Sequence, residues 1–490
     1  MKRLMFLLAL FLLGCGGPAA EQTMNSDTAP AESPPAVVPA AVADNGELDV
    51  SEPDGSQVDA AEPLVGEPAP TAHLESQTAP EVAARRIDPE TLIYRGAFRL
   101  PAVSGDSNWE YSGYAMTYFP EGDPEGPDDG YPGSLFAVGH DHQQMVSEIS
   151  IPAPVISETK DPRELSTAAT LQPFADIRGG LVGELEIPRA GLEYLPSSDA
   201  TRPGKLHFCW GQHFQFERDP SHGWCDLTLA SPHPQGLWKL DDFTNYVAND
   251  YLFQIPSAWA ERNLPGYRLA TGRFRDGRWG GLGPALLAYA PPDESNPPTA
   301  GATIEKVKTL LMYGAPQAGV AELEVNDARR MKGFSESDEW SGGAWLTAGE
   351  AAAVILVGTK ATGKTWYGFA NGVVYPTSGD PSEAIPEVPP FPYDARGWWS
   401  EGVSAQMLFY DPAQLAAVAS GAMQPWEPQP YATLAIDKQL FEPGYDHVRQ
   451  KRYLVGACAL DQARGILYVV ERQVKQDEER SLIHVFQIKG

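Results

Sequence analysis

One hexapeptide pattern occurs twice in this chain of 490 residues, and each time it opens a short apolar segment. The first copy is Glu110-Tyr111-Ser112-Gly113-Tyr114-Ala115, and the second is Glu339-Trp340-Ser341-Gly342-Gly343-Ala344. In both copies an acid and an aromatic residue precede a step of small residues. Recurring openings of this kind are typical of folds built from repeated units. We therefore expect both copies to begin inner strands at the mouth of one central channel.

From about residue 87 onward, short strands alternate with Gly and Pro turns, which indicates an all-β sandwich, barrel or propeller. The strands fall into five groups with a common order, at 113–152, 191–240, 267–291, 342–411 and 456–488. Residues 92–100 form a strand that can pair with the last group and close a ring, and closure removes exposed sheet edges. We predict a β-propeller with five blades, favoured over six or seven, and a multi-sheet β-sandwich is the alternative.

Two strands near the C-terminus carry a resemblance to known proteins. The segments 456–461 and 465–472 resemble the blades of many secreted β-propellers. Long helical patterns are nearly absent, and the one good helix candidate is the short segment 411–418. Since five groups are few for the length of the region, the propeller also requires long loop insertions.

The N-terminus has the pattern of a processing signal. A basic start at residues 1–3 is followed by an apolar run at 4–13 that is too short to span a bilayer, and then by Leu12-Leu13-Gly14-Cys15. This segment resembles the lipobox of bacterial lipoproteins. The resemblance implies a signal peptide over 1–14, lipidation of Cys15 and, because Gly16 follows the cysteine, anchoring in the outer membrane. An ordinary secretory signal is the alternative.

The segment between this leader and the strands is acidic and rich in Ala and Pro. Residues 16–84 carry 13 acidic and no basic side chains, and they have almost no aromatic residues. Such a segment cannot bury enough apolar surface to offset its ordering entropy. We predict a lipidated, disordered tether over 15–86 and a folded domain over 87–490.

The charge of the folded region excludes one class of partner. From residue 85 onward the chain has 34 basic and 52 acidic side chains. An acidic domain without a basic stripe does not fit nucleic-acid binding. The predicted partners are therefore the membrane, through the lipid anchor, and a glycan or protein ligand.

Residues 358–365 match the phosphate-loop pattern G-x-x-x-x-G-K-[ST]. That loop requires a helix to begin at Lys364, so that the amides at its N-terminus face the phosphates. The residues that follow have the pattern of a strand and a turn instead. We therefore predict a β-hairpin turn at Gly363 and no nucleotide.

Three carboxylates are the candidate catalytic residues: Glu110, Glu339 and Glu401. If Glu110 and Glu339 occupy equivalent strand starts, they face one cavity. Glycoside cleavage needs two carboxylates across a pocket, and five-bladed propeller glycosidases resemble this arrangement in outline. Aromatic side chains beside these acids are candidates for stacking on sugar rings, namely Trp109, Tyr111, Trp340 and Trp399. Alternatively, the carboxylates cap backbone amides between strands.

A polar cluster, His140-Asp141-His142, follows a predicted strand. The two His side chains would point the same way along a strand, so the cluster is a candidate ligand-binding site, although a turn with satisfied histidines explains it as well. No metal site or cofactor is predicted, apart from a surface calcium site in the acidic loop at 123–129. An oxidising compartment permits a disulfide, and Cys209 and Cys225 in one predicted hairpin are the natural pair.

Two functions remain open from the sequence. The first is a lipid-anchored extracytoplasmic propeller that binds a glycan or protein ligand at its channel mouth without chemistry. The second is a glycan-active hydrolase that uses paired carboxylates. We favour the first, because a fold does not by itself imply a function.

Overall fold

The structure is a computed structural model. It describes residues 85–489 except 124, 125, 127, 128, 214, 216, 276, 279, 280, 315–325, 378–381, 448–450 and 475–479. The predicted signal peptide, Cys15 and the tether up to residue 84 lie outside the described residues. Arg85 and Arg86, the last two residues of the predicted tether, form a short strand, so the folded domain begins at least two residues earlier than predicted. The described residues belong to one compact unit, Leu74–Gly490. No helix among them is long and apolar enough to cross a membrane.

The described strands form five sheets that are mainly antiparallel, and we number these sheets as blades 1 to 5 along the chain. For each blade the strands are given from the channel outward. Blade 1 contains Met116–Phe119, Ser134–Val138, Val146–Ser150 and Thr170–Ala175. Blade 2 contains Arg189–Leu195, Lys205–Gly211, His222–Cys225, Gln235–Leu240 and the short parallel strand Thr303–Ile304. Blade 3 contains Tyr251–Gln254, Leu269–Gly272, Leu286–Tyr289 and Val307–Leu311.

The last two blades include strands from both ends of the folded region. Blade 4 contains Glu339–Ala348, Ala351–Phe369, Arg396–Tyr410 and Ala432–Ala435, with Arg85–Arg86 paired in parallel to its second strand. Blade 5 contains Val455–Asp461, Ile466–Glu471, Leu482–Ile488 and Leu92–Arg99. The strand Leu92–Arg99 runs antiparallel to Leu482–Ile488, which confirms the predicted closure of the ring.

Five hydrophobic cores hold the ring together, and each lies between two neighbouring blades. Blade 1 meets blade 2 through residues such as Phe136 and Phe208, and blade 5 meets blade 1 through Val470 and Leu135. Burial of apolar side chains between blades stabilises each contact by about 25 cal/mol per Å² removed from water. Because every blade is covered on both faces, the fold is a closed five-bladed β-propeller.

The second strand of blade 4 differs from its prediction. Two strands and a hairpin turn at Gly363 were expected between residues 353 and 369, but Ala351–Phe369 is one continuous strand. Its pairing with Arg396–Tyr410 shifts register between Thr362 and Thr365. Gly363 lies in this β-bulge with φ of +73°, a conformation that glycine adopts at low cost. No helix begins at Lys364, so the phosphate-loop geometry is not formed.

Two short α-helices occur among the described residues. Pro412–Ser420 agrees with the predicted helix, since Asp411 caps its N-terminus by accepting from Ala413 N–H and Gly421 ends it in a left-handed conformation. The helix Ser257–Asn263 was not predicted. It spans seven residues, too few to show clear amphipathic periodicity. Four 3₁₀ turns complete the described helices: Pro89–Thr91, Pro162–Glu164, Asn245–Val247 and Asp327–Arg329.

The predicted disulfide between Cys209 and Cys225 is wrong, because both are buried free thiols. Their strands are neighbours in blade 2, but the register separates the two residues. Cys209 is opposite His222, whereas Cys225 is opposite Leu206. An offset of three residues is about 10 Å along a strand, and a disulfide needs Cα atoms about 4.4–6.8 Å apart.

Candidate functional site

The five inner strands surround a channel that is almost closed at its waist. A cavity of about 10 Å³ lies there, and each inner strand contributes to its wall. Each of the five inner strands, or the residue just before it, contributes one of these lining residues: Ala115, Gly191, Tyr251, Gly342 and Ala457. A volume of this size holds about one water molecule. The waist therefore separates two ends of the channel, and we call the end where the inner strands begin the mouth.

Both hexapeptides lie at this mouth, but in different registers: the second begins an inner strand at Glu339, whereas the first ends one residue before the inner strand Met116–Phe119. Glu110 forms an isolated bridge with Arg480, in the connection between the second and third strands of blade 5. Trp340 forms the same kind of bridge with Phe274, in the corresponding connection of blade 3. Each copy thus contacts the preceding blade, but the first does so through its first residue and the second through its second residue. The prediction that both copies begin inner strands is therefore correct for the second copy and wrong for the first.

The mouth contains a buried group of charged side chains that we call the mouth cluster. Its members come from the starts of inner strands or the ends of second strands: Tyr114, Arg189, Asp250, Arg273, Glu339 and Arg472. Their ionised side chains are between 0% and 7% exposed. Such burial is unusual for charged residues unless they are paired.

Glu339 lies at the centre of the pairs in this cluster. One carboxylate oxygen accepts from Arg189 Nη2 at 2.9 Å, and the other accepts from Arg472 Nη1 at 3.2 Å. Hydrogen bonds between ionised partners are stronger than neutral ones. Both oxygens of Glu339 are therefore held by guanidinium groups from blades 2 and 5.

Asp250 is the second carboxylate of the cluster, and its contacts are longer. Its oxygens lie 3.5 Å from Arg189 Nε and 3.8 Å from Arg273 Nε. Neither oxygen forms a hydrogen bond. Asp250 thus balances part of the positive charge of Arg189 and Arg273, although neither of its oxygens accepts a hydrogen bond.

Tyr114 separates two of the guanidinium groups. The Cζ atoms of Arg189 and Arg472 lie 5.1 Å and 4.6 Å from the centre of its ring. Contacts of this kind attract a cation to the face of an aromatic ring. Tyr114 is only partly buried, so it marks the side on which solvent reaches the cluster.

The pKa shifts of the arginines report how their charges are compensated. Burial alone would lower the pKa of Arg189, but Glu339 and Asp250 together raise it above its ordinary value. Burial lowers the pKa of Arg273 to about 10 although Asp250 opposes this change, and the positive charges of Arg275 and Arg189 add to the lowering. Positive charge at Arg273 is therefore the less compensated of the two.

The other end of the channel contains a glutamate with neutral partners. Glu193 accepts from Thr117 Oγ1 and from Gln254 Nε2, each at 3.0 Å. It follows Arg189 and Gly191 at alternate positions on the same inner strand, so all three side chains lie on one face. Burial raises the pKa of Glu193 to about 8, against the opposing effect of these two hydrogen bonds.

The three predicted catalytic carboxylates are not brought into one group. Glu110 is partly exposed beside Arg480, while Glu339 is bonded to two arginines. Glu401 is exposed, and its Oε2 accepts from Lys364 N–H where the long strands of blade 4 extend past the mouth. Each carboxylate therefore has its own set of partners.

The predicted stacking role is wrong for three of the four aromatic residues. Trp109 and Trp340 are 1% and 0% exposed and belong to hydrophobic cores between blades. Trp399 is 2% exposed, covered by Tyr445 and by the guanidinium of Arg452. Because neighbouring side chains cover their rings, these three residues present no free ring face on which a sugar could stack.

Tyr111 remains at the mouth beside the predicted histidine cluster. Its ring is edge-on to His140, with ring centres 5.7 Å apart. His140 Nδ1 accepts from His142 N–H and lies 3.2 Å from Asp141 Oδ1. The cluster is therefore a turn with its own internal bonds, close to the rim, and its role in ligand binding stays a prediction.

Among the described residues, no group of three or more His, Cys, Asp and Glu side chains is arranged to hold a metal ion. The predicted calcium loop is described only in part, because Glu125 and Asp128 lie outside the described residues. Asp123 and Asp129 belong to the described part of that loop.

The arginines of the mouth cluster were missed by the sequence analysis, although a signal was present. Arg273 and Arg472 each come directly after the second strand of their blades. Asp250 comes directly before an inner strand, where Glu339 begins another. A comparison of these strand ends across blades would have grouped the residues.

Comparison with known proteins adds little to this picture. No family model matches the chain, and no curated protein sequence matches it. Among solved structures, it is similar to a candidate glycoside hydrolase from Parabacteroides distasonis, with 10% identity and a TM-score of 0.29 over 84% of this chain and 97% of that chain. A likeness this weak supports no inference. The class of the protein, a five-bladed β-propeller with a buried charged cluster at its channel mouth, rests on its own strand pairing and contacts.

Proposed function

We propose that this protein is a lipid-anchored extracytoplasmic binding protein, and that its propeller binds a glycan or protein ligand at the channel mouth without chemistry. The observation that carries this proposal is the pairing of Glu339. Both of its oxygens are occupied by arginines. A glycosidase needs one carboxylate free to protonate a leaving group and another free to attack or activate water.

A partly exposed aromatic surface beside the mouth supports binding. Thr359 pairs with Glu339 at the mouth, and the second strand of blade 4 continues from there to Phe369. Ten further residues of strand correspond to roughly 30 Å. The long hairpin made with Arg396–Tyr410 therefore extends well past the inner strands.

This extension carries several aromatic side chains. The rings of Tyr367 and Trp398 lie 5.6 Å apart, and Tyr375 is 6.0 Å from Tyr367. The guanidinium of Arg396 lies 4.4 Å from the ring of Tyr375. All three rings are partly exposed. Partly exposed aromatic rings offer large apolar faces with a polar edge, which suits both sugar rings and peptide side chains.

A polysaccharide panel tests the proposal. The full chain, purified in a mild detergent, is expected to bind at least one polysaccharide saturably and to release no reducing ends from it. Tyr367→Ala is expected to weaken that binding about fivefold, the equivalent of about 1 kcal/mol. Tyr267→Ala is the matched control, since Tyr267 is also partly exposed but precedes the second strand of blade 3 at the far end of the channel.

Two outcomes would count against this function. Release of reducing ends that is lost in Glu339→Gln would favour the hydrolase. Failure to bind any glycan, with equal behaviour of both tyrosine variants toward protein ligands, would remove the role proposed for the mouth.

The anchor is tested separately, because Cys15 lies outside the described residues. The wild-type chain is expected in the membrane fraction, whereas Cys15→Ala is expected to lose acylation and leave that fraction. A lipid anchor requires more than one acyl chain for stable attachment. Retention of Cys15→Ala in the membrane would contradict the anchor without affecting the proposed ligand site.

A further inference from the structure

The mouth cluster contains more positive than negative charge. Three guanidinium groups, those of Arg189, Arg273 and Arg472, meet the two carboxylates of Asp250 and Glu339. Uncompensated charge in a buried site is costly. Among the described members of this cluster, one positive charge is left over.

Each of the three arginines also has an unused donor. Arg189 Nη1, Arg273 Nη2 and Arg472 Nε are buried and form no hydrogen bond. The exposed fractions of these side chains are 3%, 0% and 7%. Buried donors without partners are rare in folded proteins and call for an explanation such as a water, an ion or a ligand.

The unused acceptors of the cluster lie on Asp250. Neither of its oxygens forms a hydrogen bond, although both are buried. A ligand that satisfies all of these groups must therefore accept hydrogen bonds from the arginines and donate a hydrogen bond to Asp250. Water does both, but it carries no charge to balance the arginines.

We propose that the mouth cluster binds the acidic end of a sugar, with a carboxylate accepting from the arginines and a neighbouring hydroxyl donating to Asp250. This inference rests on the proposed function and names the class of glycan that the mouth binds. Guanidinium groups present paired donors that match a planar carboxylate. The ring of Tyr114, partly exposed between Arg189 and Arg472, lies on the side from which the sugar enters.

The net charge of the folded region argues against non-specific binding of an acidic sugar. The folded region carries a net negative charge, which disfavours general attraction of anions. Binding of an acidic sugar therefore requires a local positive site. The mouth cluster supplies one among the described residues.

Calorimetric titration of the full chain with three small probes tests the proposal. Sodium glucuronate carries both groups, acetate lacks the hydroxyl, and glucose lacks the carboxylate. At constant ionic strength, which holds charge screening fixed, glucuronate is expected to bind at least tenfold more tightly than acetate or glucose. Equal affinity for all three probes would overturn the proposal.

Two variants locate the site. Arg273→Gln is expected to weaken glucuronate binding about tenfold to hundredfold, the usual range for a lost charge-assisted hydrogen bond. Arg163→Gln is the matched control, because the Arg163 side chain is 87% exposed and forms a surface ion pair with Asp161. Glucuronate binding that survives both substitutions would place the site elsewhere and contradict the proposal.

A second measurement applies if Arg273→Gln does not fold. The wild-type chain is expected to gain thermal stability with glucuronate, and less with acetate, because a ligand stabilises the state that binds it. Absence of any glucuronate effect, while a neutral polysaccharide still binds, would overturn the acidic-sugar site and leave the proposed function standing. Absence of binding to all glycans would overturn both.

Discussion

The two ends of the central channel contain buried glutamates that are stabilised in opposite ways. At the mouth, Glu339 is bonded to two arginines. At the far end, the hydrogen-bond partners of Glu193 among the described residues are the hydroxyl of Thr117 and the side-chain amide of Gln254. An ion-paired carboxylate stays charged when buried, whereas neutral partners leave the burial penalty of the charged form uncompensated.

This difference shows that position on the inner strands does not by itself decide the role of an acid. Arg189 and Glu193 lie on one face of a single strand, with Gly191 between them at the waist. The strand provides a cation for the mouth and a neutral acid for the far end. The buried ionised side chains are therefore grouped at the mouth, where Tyr114 is partly exposed to solvent.

The largest expected effect comes from breaking the pair at the mouth. Glu339→Gln removes the negative charge and leaves two buried guanidinium groups without it. We expect the free energy of unfolding in urea to fall by about 3–5 kcal/mol, as for other buried pairs that lose one partner.

The other copy of the hexapeptide provides the control for this substitution. Glu110 is partly exposed, so Glu110→Gln is expected to change the free energy of unfolding by no more than about 0.5 kcal/mol. Equal effects of the two substitutions would show that the difference between the copies has no energetic meaning.

At the far end, the expected effect depends on pH. The folded protein keeps the proton of Glu193 up to about pH 8, whereas the unfolded chain releases it near its ordinary pKa of about 4.3. Since the folded state binds more protons between these values, its stability falls as pH rises through this window. The slope from this one group is up to about 1.4 kcal/mol per pH unit.

Glu193→Gln isolates this contribution, because the amide imitates the protonated acid. We expect the variant to gain stability relative to the wild type steadily from about pH 5 to pH 8, as followed by urea unfolding at each pH. Parallel stability curves for the two proteins would contradict a raised pKa of Glu193.

At the waist, the expected effect is steric. A Cβ atom added to Gly342 would lie 2.7 Å from the carbonyl oxygen of Gly456 and 3.1 Å from Cys458 N. Both contacts are with backbone atoms of blade 5 and cannot be relieved by a side-chain rotation. Gly342→Ala is expected to lower the free energy of unfolding by about 1–3 kcal/mol. Thermal unfolding that matches the wild type would show that the inner strands are less tightly packed than the structure describes.

The smallest expected effects distinguish the serines of the two hexapeptides. Ser112 Oγ donates to Ser481 Oγ at 3.1 Å, whereas Ser341 Oγ is buried without a hydrogen bond. Ser112→Ala should therefore cost about 0.5–1.5 kcal/mol, and Ser341→Ala should be close to neutral or stabilising. The reverse order in chemical denaturation would indicate that Ser341 binds a group at the waist.

Much of the fold was predictable, because its signals are local. Five strand groups and the closing strand Leu92–Arg99 follow from apolar runs separated by Gly and Pro. The outer strands Thr170–Ala175 and Ala432–Ala435 were missed, since one contains Pro173 and the other has four residues with alternating exposure. Edge strands are only partly covered, so their sequences lack a continuous apolar pattern. The third predicted group, 267–291, was too short, because the inner strand Tyr251–Gln254 and the outer strand Val307–Leu311 of blade 3 were missed as well.

The candidate site was less predictable, because its members meet only when the ring closes. Only the second hexapeptide begins an inner strand, and the first ends just before one. The partners of Glu339 come from blades 2 and 5. The aromatic residues of the pattern were misjudged for a related reason. Trp109 and Trp340 fill spaces between blades, and a sequence does not distinguish an aromatic residue at a rim from one in a core beside it.

The most direct test of the central claim is a crystal of the full chain grown with selenate, measured at the selenium absorption edge. Selenate is an oxyanion that accepts from guanidinium groups as a carboxylate does. If the mouth cluster is an anion-binding site, an anomalous peak will mark a selenate whose oxygens accept hydrogen bonds from Arg273 and Arg472. Selenate bound only elsewhere, with waters alone between these arginines, would contradict the account.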